Sequence, residues 1–152
     1  MQNKVMITGV AGLIGSHLAE RLLEDGCLVY GLDCVDIETC RNLESVRECS
    51  NFSYFKGDIR LRDDLEKFFK HDATVLYHLA SVVGVNHYME DPLSLIDIGV
   101  FGTRSLIDLC RNHEVRMLFA STSEVYGRNP VLPWSETDDR VLGATNVDRW
   151  SY

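Results

Sequence analysis

Five short apolar segments alternate with helical or polar stretches, and a glycine-rich turn joins the first strand to the first helix. Together these predict an α/β protein built on a doubly wound parallel sheet. Residues 4–8, 27–32, 52–56, 74–79 and 115–120 are rich in Val, Ile, Leu, Phe or Tyr and nearly continuous in apolar character. Strands covered on both faces of a parallel sheet read this way. Strand–helix alternation over such a length implies right-handed β-α-β connections.

Each intervening segment has its own signal. Residues 13–24 carry Ile14, Leu18 and Leu22 on one helical face, with Ala19 and Leu23 beside them, and Gly26 supplies the stop. Residues 34–49 are polar and weakly periodic, which predicts a loop with room for a short helix. Residues 61–70 and 92–113 are the other two helices. Pro92 suits a first turn, and Asp91 before it suits the N-cap. From 127 to 147 the chain reads as irregular, with Pro130, Pro133 and Gly143. A loop that long on an α/β scaffold is more often functional than idle.

The most informative segment is Thr8-Gly9-Val10-Ala11-Gly12-Leu13-Ile14-Gly15, at the end of the first strand and the start of the first helix. Gly9 permits the turn out of the strand, Gly12 lets backbone approach a pyrophosphate, and Gly15 allows close helix–sheet packing. The helix N-terminus then points free amides and a positive dipole at two phosphates. Eighteen residues beyond Gly15 stands Asp33, at the end of the second strand. A carboxylate there accepts hydrogen bonds from both ribose hydroxyls and repels a 2′-phosphate, which selects NAD over NADP. These residues predict a Rossmann-type dinucleotide-binding domain over 1–152. Asp58 and Ile59, after the third strand, are expected to reach the adenine; the other reading of Asp58 is a helix N-cap.

The 152 residues suffice for one domain with a sizeable core, and they are short for a cofactor domain plus a substrate domain. With 15 Lys and Arg against 23 Asp and Glu, the net charge is −8. That argues against nucleic acid or an anionic membrane as the main partner, while leaving room for an anionic small molecule. No run of about 18 apolar residues and no signal-type segment appears. The five cysteines (Cys27, Cys34, Cys40, Cys49, Cys110) form no C-x-x-C pair and no zinc-ligand spacing. Reduced thiols, a cytoplasmic location and no metal are expected.

With these motifs in place the chain resembles the extended short-chain dehydrogenase/reductase family, the NAD-dependent epimerases, dehydratases and decarboxylases of sugar nucleotides. His78-Leu79-Ala80-Ser81 is similar to the family's H-x-A-[AS] segment, which implies that Leu79, Ala80 and Ser81 lie along the cofactor. His78 by itself reads as a structural strand-end histidine. Ser121-Thr122-Ser123-Glu124-Val125-Tyr126-Gly127 follows strand five. The resemblance implies that Thr122 donates a hydrogen bond to the sugar oxygen being oxidised and that positions 123 and 124 choose the reaction.

Asp148-Arg149-Trp150-Ser151-Tyr152 resembles the R-W-x-Y-x-x-x-K stretch of sugar-nucleotide decarboxylases. The resemblance makes Tyr152 the catalytic base, aided by a Lys four positions later that this chain does not contain. A tyrosine titrating near ~10 needs such a cation to take a proton at neutral pH. Arg149 fits either a substrate phosphate or carboxylate, or packing against Trp150. In the segment similar to N-x-x-G-T, residues 99–103, Gly99 replaces the usual Asn, so proton relay is expected to be arranged differently.

The resemblance also bears on the reaction. Family dehydratases carry an Asp-Glu pair after the Thr, and simple 4-epimerases lack a carboxylate at both positions. Ser123-Glu124 matches neither and resembles the UDP-glucuronate decarboxylases. The expected activity is therefore decarboxylation of a UDP-glucuronate-type nucleotide sugar through a 4-keto intermediate, with Thr122, Glu124 and Tyr152 catalytic and Ser123 and Arg149 on the substrate. A UDP-sugar 4-epimerase and a non-catalytic nucleotide-binding module are the alternatives. These residues are expected to be the cofactor-binding part alone, inactive without the substrate domain, and the full-length protein is expected to be a homodimer.

Overall fold

The computed structural model describes residues 2–82, 90–144 and 146. Five strands, β1 (Lys4–Thr8), β2 (Leu28–Asp33), β3 (Phe52–Lys56), β4 (Val75–His78) and β5 (Arg116–Phe119), form one parallel sheet in the order β3-β2-β1-β4-β5. The helices are α1 (Leu13–Glu24), α2 (Arg62–Phe68), α3 (Pro92–Ile96) and α4 (Thr103–Asn112), with a π-helical segment, Asp97–Gly102, between the last two. Among the described residues no helix is long and apolar enough to cross a membrane.

The period-2 alternation of the strands sorts the apolar side chains into two layers. Val5 and Ile7 of β1 join Val10, Ala19, Val29 and Leu43 on the α1 side of the sheet. Met6 faces the other way, into a cluster with Leu32, Leu65, Phe68, Leu76, Leu106 and Leu109. Each Val, Leu, Ile, Phe or Met side chain taken fully out of water contributes roughly 1.5–3 kcal/mol. Both faces of β1 are therefore covered, as its continuous apolar sequence requires.

Helix α1 starts and stops where its sequence dictates. Gly26 follows it at φ +78°, and the amides of Gly26 and Cys27 return to Leu23 O and Leu22 O. The Asp91 carboxylate accepts from Ser94 N at 3.1 Å and caps α3. The polar segment after β2 holds two short 3-10 turns, Ile37–Thr39 and Arg41–Leu43. The second is anchored by Leu43, whose side chain is fully buried.

One expectation needs correction. The run 92–113 is not one α-helix, because the π-helical segment inserts a wider turn in its middle. The same run leaves Leu93, Ile96, Val100, Phe101 and Ile107 exposed. Among the described residues strand β5 is an edge of the sheet, with Leu118 and Phe119 each about half exposed. Its apolar sequence matches a face that the described residues do not cover.

Candidate functional site

The strand order places β2 and β3 on one side of β1 and β4 and β5 on the other. Connections leaving β1 and β4 diverge at that point, and the crevice beyond their carboxyl ends is where open α/β sheets bind ligands. The glycine turn fills the base of this crevice. Gly9 has φ +76°, and a Cβ on it would lie 2.6 Å from Ala80 N, so both conformation and contact exclude any side chain. A Cβ at Gly15 would lie 2.2 Å from Gly9 O, because the first turn of α1 rests directly on the loop.

Gly12 differs from both. A Cβ there would meet only Gly9 O, at 3.3 Å. The protein itself barely needs glycine at this point, and the absence of a side chain opens the turn toward a ligand. Gly12 is the N-cap of α1; no side chain caps the helix and no acidic residue lies in its first turn. Its first amides have no helical acceptor, and the side chains of Leu13 and Ile14 are 71% and 70% exposed. Among the described residues the helix end is a donor array without a side-chain cap, which suits a diphosphate.

Asp33 ends β2 beside this array. Its Oδ2 accepts from Ala11 N at 2.9 Å and its Oδ1 from Val35 N at 3.3 Å. Each oxygen keeps lone-pair capacity for a ribose hydroxyl. The Tyr54 hydroxyl donates to Val35 O and holds the turn after β2. Burial first, then the Asp33 charge, raises the Tyr54 hydroxyl above its usual range, so it stays a donor. The same two causes raise the Cys34 thiol.

Asp58 follows β3 and is engaged by a neighbour. Arg60 donates to it from its backbone N at 2.9 Å and from its guanidinium. The Arg60 hydrogen bonds hold the Asp58 carboxyl below its usual range. The N-cap of α2 is Leu61, so Asp58 shapes the preceding turn instead. Ile59 is buried in the core, and a Cβ on Gly102 would strike it at 2.8 Å. The Ile59 side chain is committed to the core. Leu79, Ala80 and Ser81 run along the crevice, with Leu79 N bound to Thr8 O at 3.0 Å.

His78 is a clamp beneath that segment. It is 2% exposed, with Nδ1 at 2.7 Å from the Thr8 hydroxyl and Nε2 at 2.9 Å from the Thr103 hydroxyl. Burial pushes its pKa down to about 4, so the ring is neutral. One ring nitrogen donates and the other accepts, which ties β1, β4 and α4 together. This also accounts for Gly102-Thr103: the glycine admits Ile59 and the threonine meets His78.

Beyond β5, Thr122 caps the 3-10 turn Ser123–Tyr126 by accepting from Glu124 N at 3.2 Å. Accepting leaves the Thr122 proton for an outward oxygen. Thr122 and Ser123 are exposed and Glu124 is half-buried. Gly127, at φ +59°, then turns the chain so that Val141 returns against it. Asn129 is the keystone of this loop: it is buried, donates from Nδ2 to Asp139 O at 2.9 Å and accepts from Val131 N at 2.9 Å. Trp134 donates to Asn129 O at 3.0 Å and stacks on Tyr126, over which Arg140 also lies. Arg149 and Tyr152 lie outside the described residues. Among the described residues no cluster of His, Cys, Asp or Glu is arranged to hold a metal ion.

Sequence reasoning missed two asparagines. Asn129 precedes Pro130, and an Asn-Pro pair signals a turn without naming its partners. Asn42, whose Nδ2 donates to Ala11 O at 2.8 Å, had no local signal, because its partner lies 31 residues away.

A family profile described as GDP-mannose 4,6 dehydratase matches residues 6–141. The chain is 37% identical to a UDP-N-acetyl-alpha-D-glucosaminuronate decarboxylase of Bacillus cytotoxicus, an alignment covering 100% of this chain and 46% of that protein. A solved UDP-N-acetylglucosamine 4-epimerase of Methanobrevibacter ruminantium, in complex with UDP-N-acetylmuramic acid, superposes with TM-score 0.81 at 30% identity. That match covers 93% of this chain and 45% of the other. The UDP-glucose 4-epimerase of Thermus thermophilus in complex with NAD gives 0.75 at 31% identity, covering 88% and 42%. The chain thus spans under half the length of these relatives.

Proposed function

Because this chain belongs to the family described as GDP-mannose 4,6 dehydratase, we propose that it is the cofactor-binding part of an NAD-dependent enzyme that modifies a nucleotide-bound sugar. The observation that carries the reading is the glycine turn locked on Ala80, with uncapped helix amides on one side and the Asp33 carboxylate on the other. Gly9, Ala11, Gly12, Leu13, Ile14 and Gly15 would hold the pyrophosphate, Asp33 the adenosine ribose, the Asp58–Ile59 turn the adenine, and Leu79–Ser81 the far half. NAD, when bound, supplies the acceptor for a hydride.

Cofactor choice is directly measurable. Asp33 sets like charge against a 2′-phosphate, so NADH should bind at least about tenfold more tightly than NADPH. Calorimetric titration of both against this chain checks it. Equal affinities would remove Asp33 from the ribose site.

For the whole protein we infer decarboxylation of a UDP-bound uronate. Thr122 and Tyr152 hold the C4 hydroxyl, and Tyr152 takes its proton as C4 is oxidised. The resulting ketone lies β to the C6 carboxylate, so CO2 departs and its electron pair delocalises onto the ketone oxygen. Glu124 orients the ring and manages the proton at C5, while Ser123 and Arg149 contact the substrate. The Ser123-Glu124 pair and the likeness to a uronate decarboxylase support this reading. Similarity to two solved 4-epimerases favours C4 inversion as the second.

The reading extends to a homodimer in the cytoplasm, with no nucleic-acid or membrane partner. The exposed apolar residues Leu93, Ile96, Val100 and Ile107 support the dimer, and the acidic net charge supports the absence of a nucleic-acid or anionic-membrane partner. Mass spectrometry of products from the whole protein, offered UDP-glucuronate and its N-acetylated analogue, tests the reaction. Loss of CO2 is expected. Return of only the C4 epimer, with its carboxylate intact, would put the epimerase in its place.

A further inference from the structure

We propose that Asn42 is a positioning residue for the phosphate-binding turn, fixing the Ala11–Gly12 peptide so that the helix amides beyond it face the pyrophosphate. The inference rests on the dinucleotide reading of that turn. Ala11 is held at both of its backbone polar atoms by side chains remote in sequence. Its N–H goes to Asp33 Oδ2 at 2.9 Å, and its carbonyl accepts from Asn42 Nδ2 at 2.8 Å. The Cys40 thiol reaches the same carbonyl at 3.7 Å, a weak second donor. The N–H of the same Ala11–Gly12 peptide donates to Gly9 O at 3.2 Å. Both ends of that peptide are therefore anchored, and the plane cannot turn without breaking a bond.

The donor is itself held in place. Asn42 sits in the 3-10 turn Arg41–Leu43, pinned beneath by Leu43 and Val46, which are 0% and 4% exposed. On the side toward β2, Asp36 caps the preceding turn through Glu38 N at 3.1 Å and pairs with Lys56 at 3.1 Å. The polar segment after β2 thus links the core to the glycine turn through Asn42. If the carbonyl lost its donor, the Ala11–Gly12 peptide could rotate. The amides of Leu13 and Ile14 would then have to be ordered at the expense of binding energy.

Asn42 is exposed and outside both apolar clusters, so its replacement should leave the fold intact. NADH titration by fluorescence, with the unliganded thermal midpoint measured in parallel, separates positioning from simple stabilisation. Asn42→Ala should weaken NADH binding about three- to tenfold, the worth of one hydrogen bond to a partly buried acceptor. Asn42→Asp, which sets a carboxylate against the Ala11 carbonyl, should weaken it at least as much, and Asn42→Gln should recover part of the loss. Unliganded midpoints should stay within about 2 °C of the parent, since surface changes move stability little. NADH affinity unchanged in Asn42→Ala and Asn42→Asp would overturn the role of Asn42 alone. A lowered midpoint with unchanged affinity would overturn it in favour of a structural strut. Failure of the parent chain to bind either NADH or ADP would overturn the dinucleotide reading and this proposal with it.

Discussion

In the whole protein, Glu124→Gln is expected to slow formation of the decarboxylated sugar from a UDP-bound uronate by ~10²–10⁴-fold, the usual cost of losing a positioned proton-transfer group. Nucleotide-sugar binding should change far less. Glu124 lies one turn beyond β5 on a backbone fixed from both sides: Thr122 caps its amide, and Gly127 returns the chain to Val141. A substitution that keeps the shape and removes the charge therefore tests the carboxylate and not the turn. Tyr152→Phe should act one step earlier. With no group to take the C4 proton, oxidation does not begin, and a single turnover should show no absorbance of reduced cofactor. The pair of variants orders the steps: Glu124→Gln should still accumulate that absorbance and Tyr152→Phe should not. Equal loss of oxidation in both would remove Glu124 from the decarboxylation step.

The parts of this site that could be read from sequence are those whose cause is local. Gly9, Gly12 and Gly15 are required within an eight-residue turn, and Asp33 closes a strand whose apolar run announces itself. Helix α1 carries its own period and its own stop, and its bounds matched expectation. What stayed hidden depends on tertiary partners. Asn42 and Asn129 are ordinary polar residues until the fold brings Ala11 and Asp139 to them. Asp58 could be named, but not its capture by Arg60 two residues on, because Asx-type turns compete with helix caps for the same side chain. The π-helical segment was illegible for a related reason. Gly102 must admit Ile59 while Thr103 meets His78, and these two contacts fix the phase of α4 independently of α3.

Acid should expose the His78 clamp before it affects most of the fold. The ring is buried and neutral, with its pKa pushed by burial from 6.5 down to about 4. In the unfolded chain it titrates at its ordinary value, so between pH 6.5 and 4 the unfolded state binds the extra proton. Stability from this group is therefore fully present above about 6.5, falls as the pH drops through that window, and levels off below about 4. A difference of that size corresponds to about 3 kcal/mol, a large share of the 5–15 kcal/mol typical of a domain. The carboxylates of Asp36, Asp58 and Asp138 are held low, so their contributions are lost mainly at still lower pH. The consequence reaches the site, because a charged ring cannot accept from either Thr8 or Thr103, and Leu79–Ala80 follow directly in the chain. Urea unfolding at pH 7 and pH 4.5 should show the steep loss in the parent and a much flatter response in His78→Gln, which keeps a donor and an acceptor but does not titrate. The same pH dependence in both proteins would assign the acid sensitivity to other groups. Titration of the His78 ring signal near its ordinary value would contradict the neutral clamp itself.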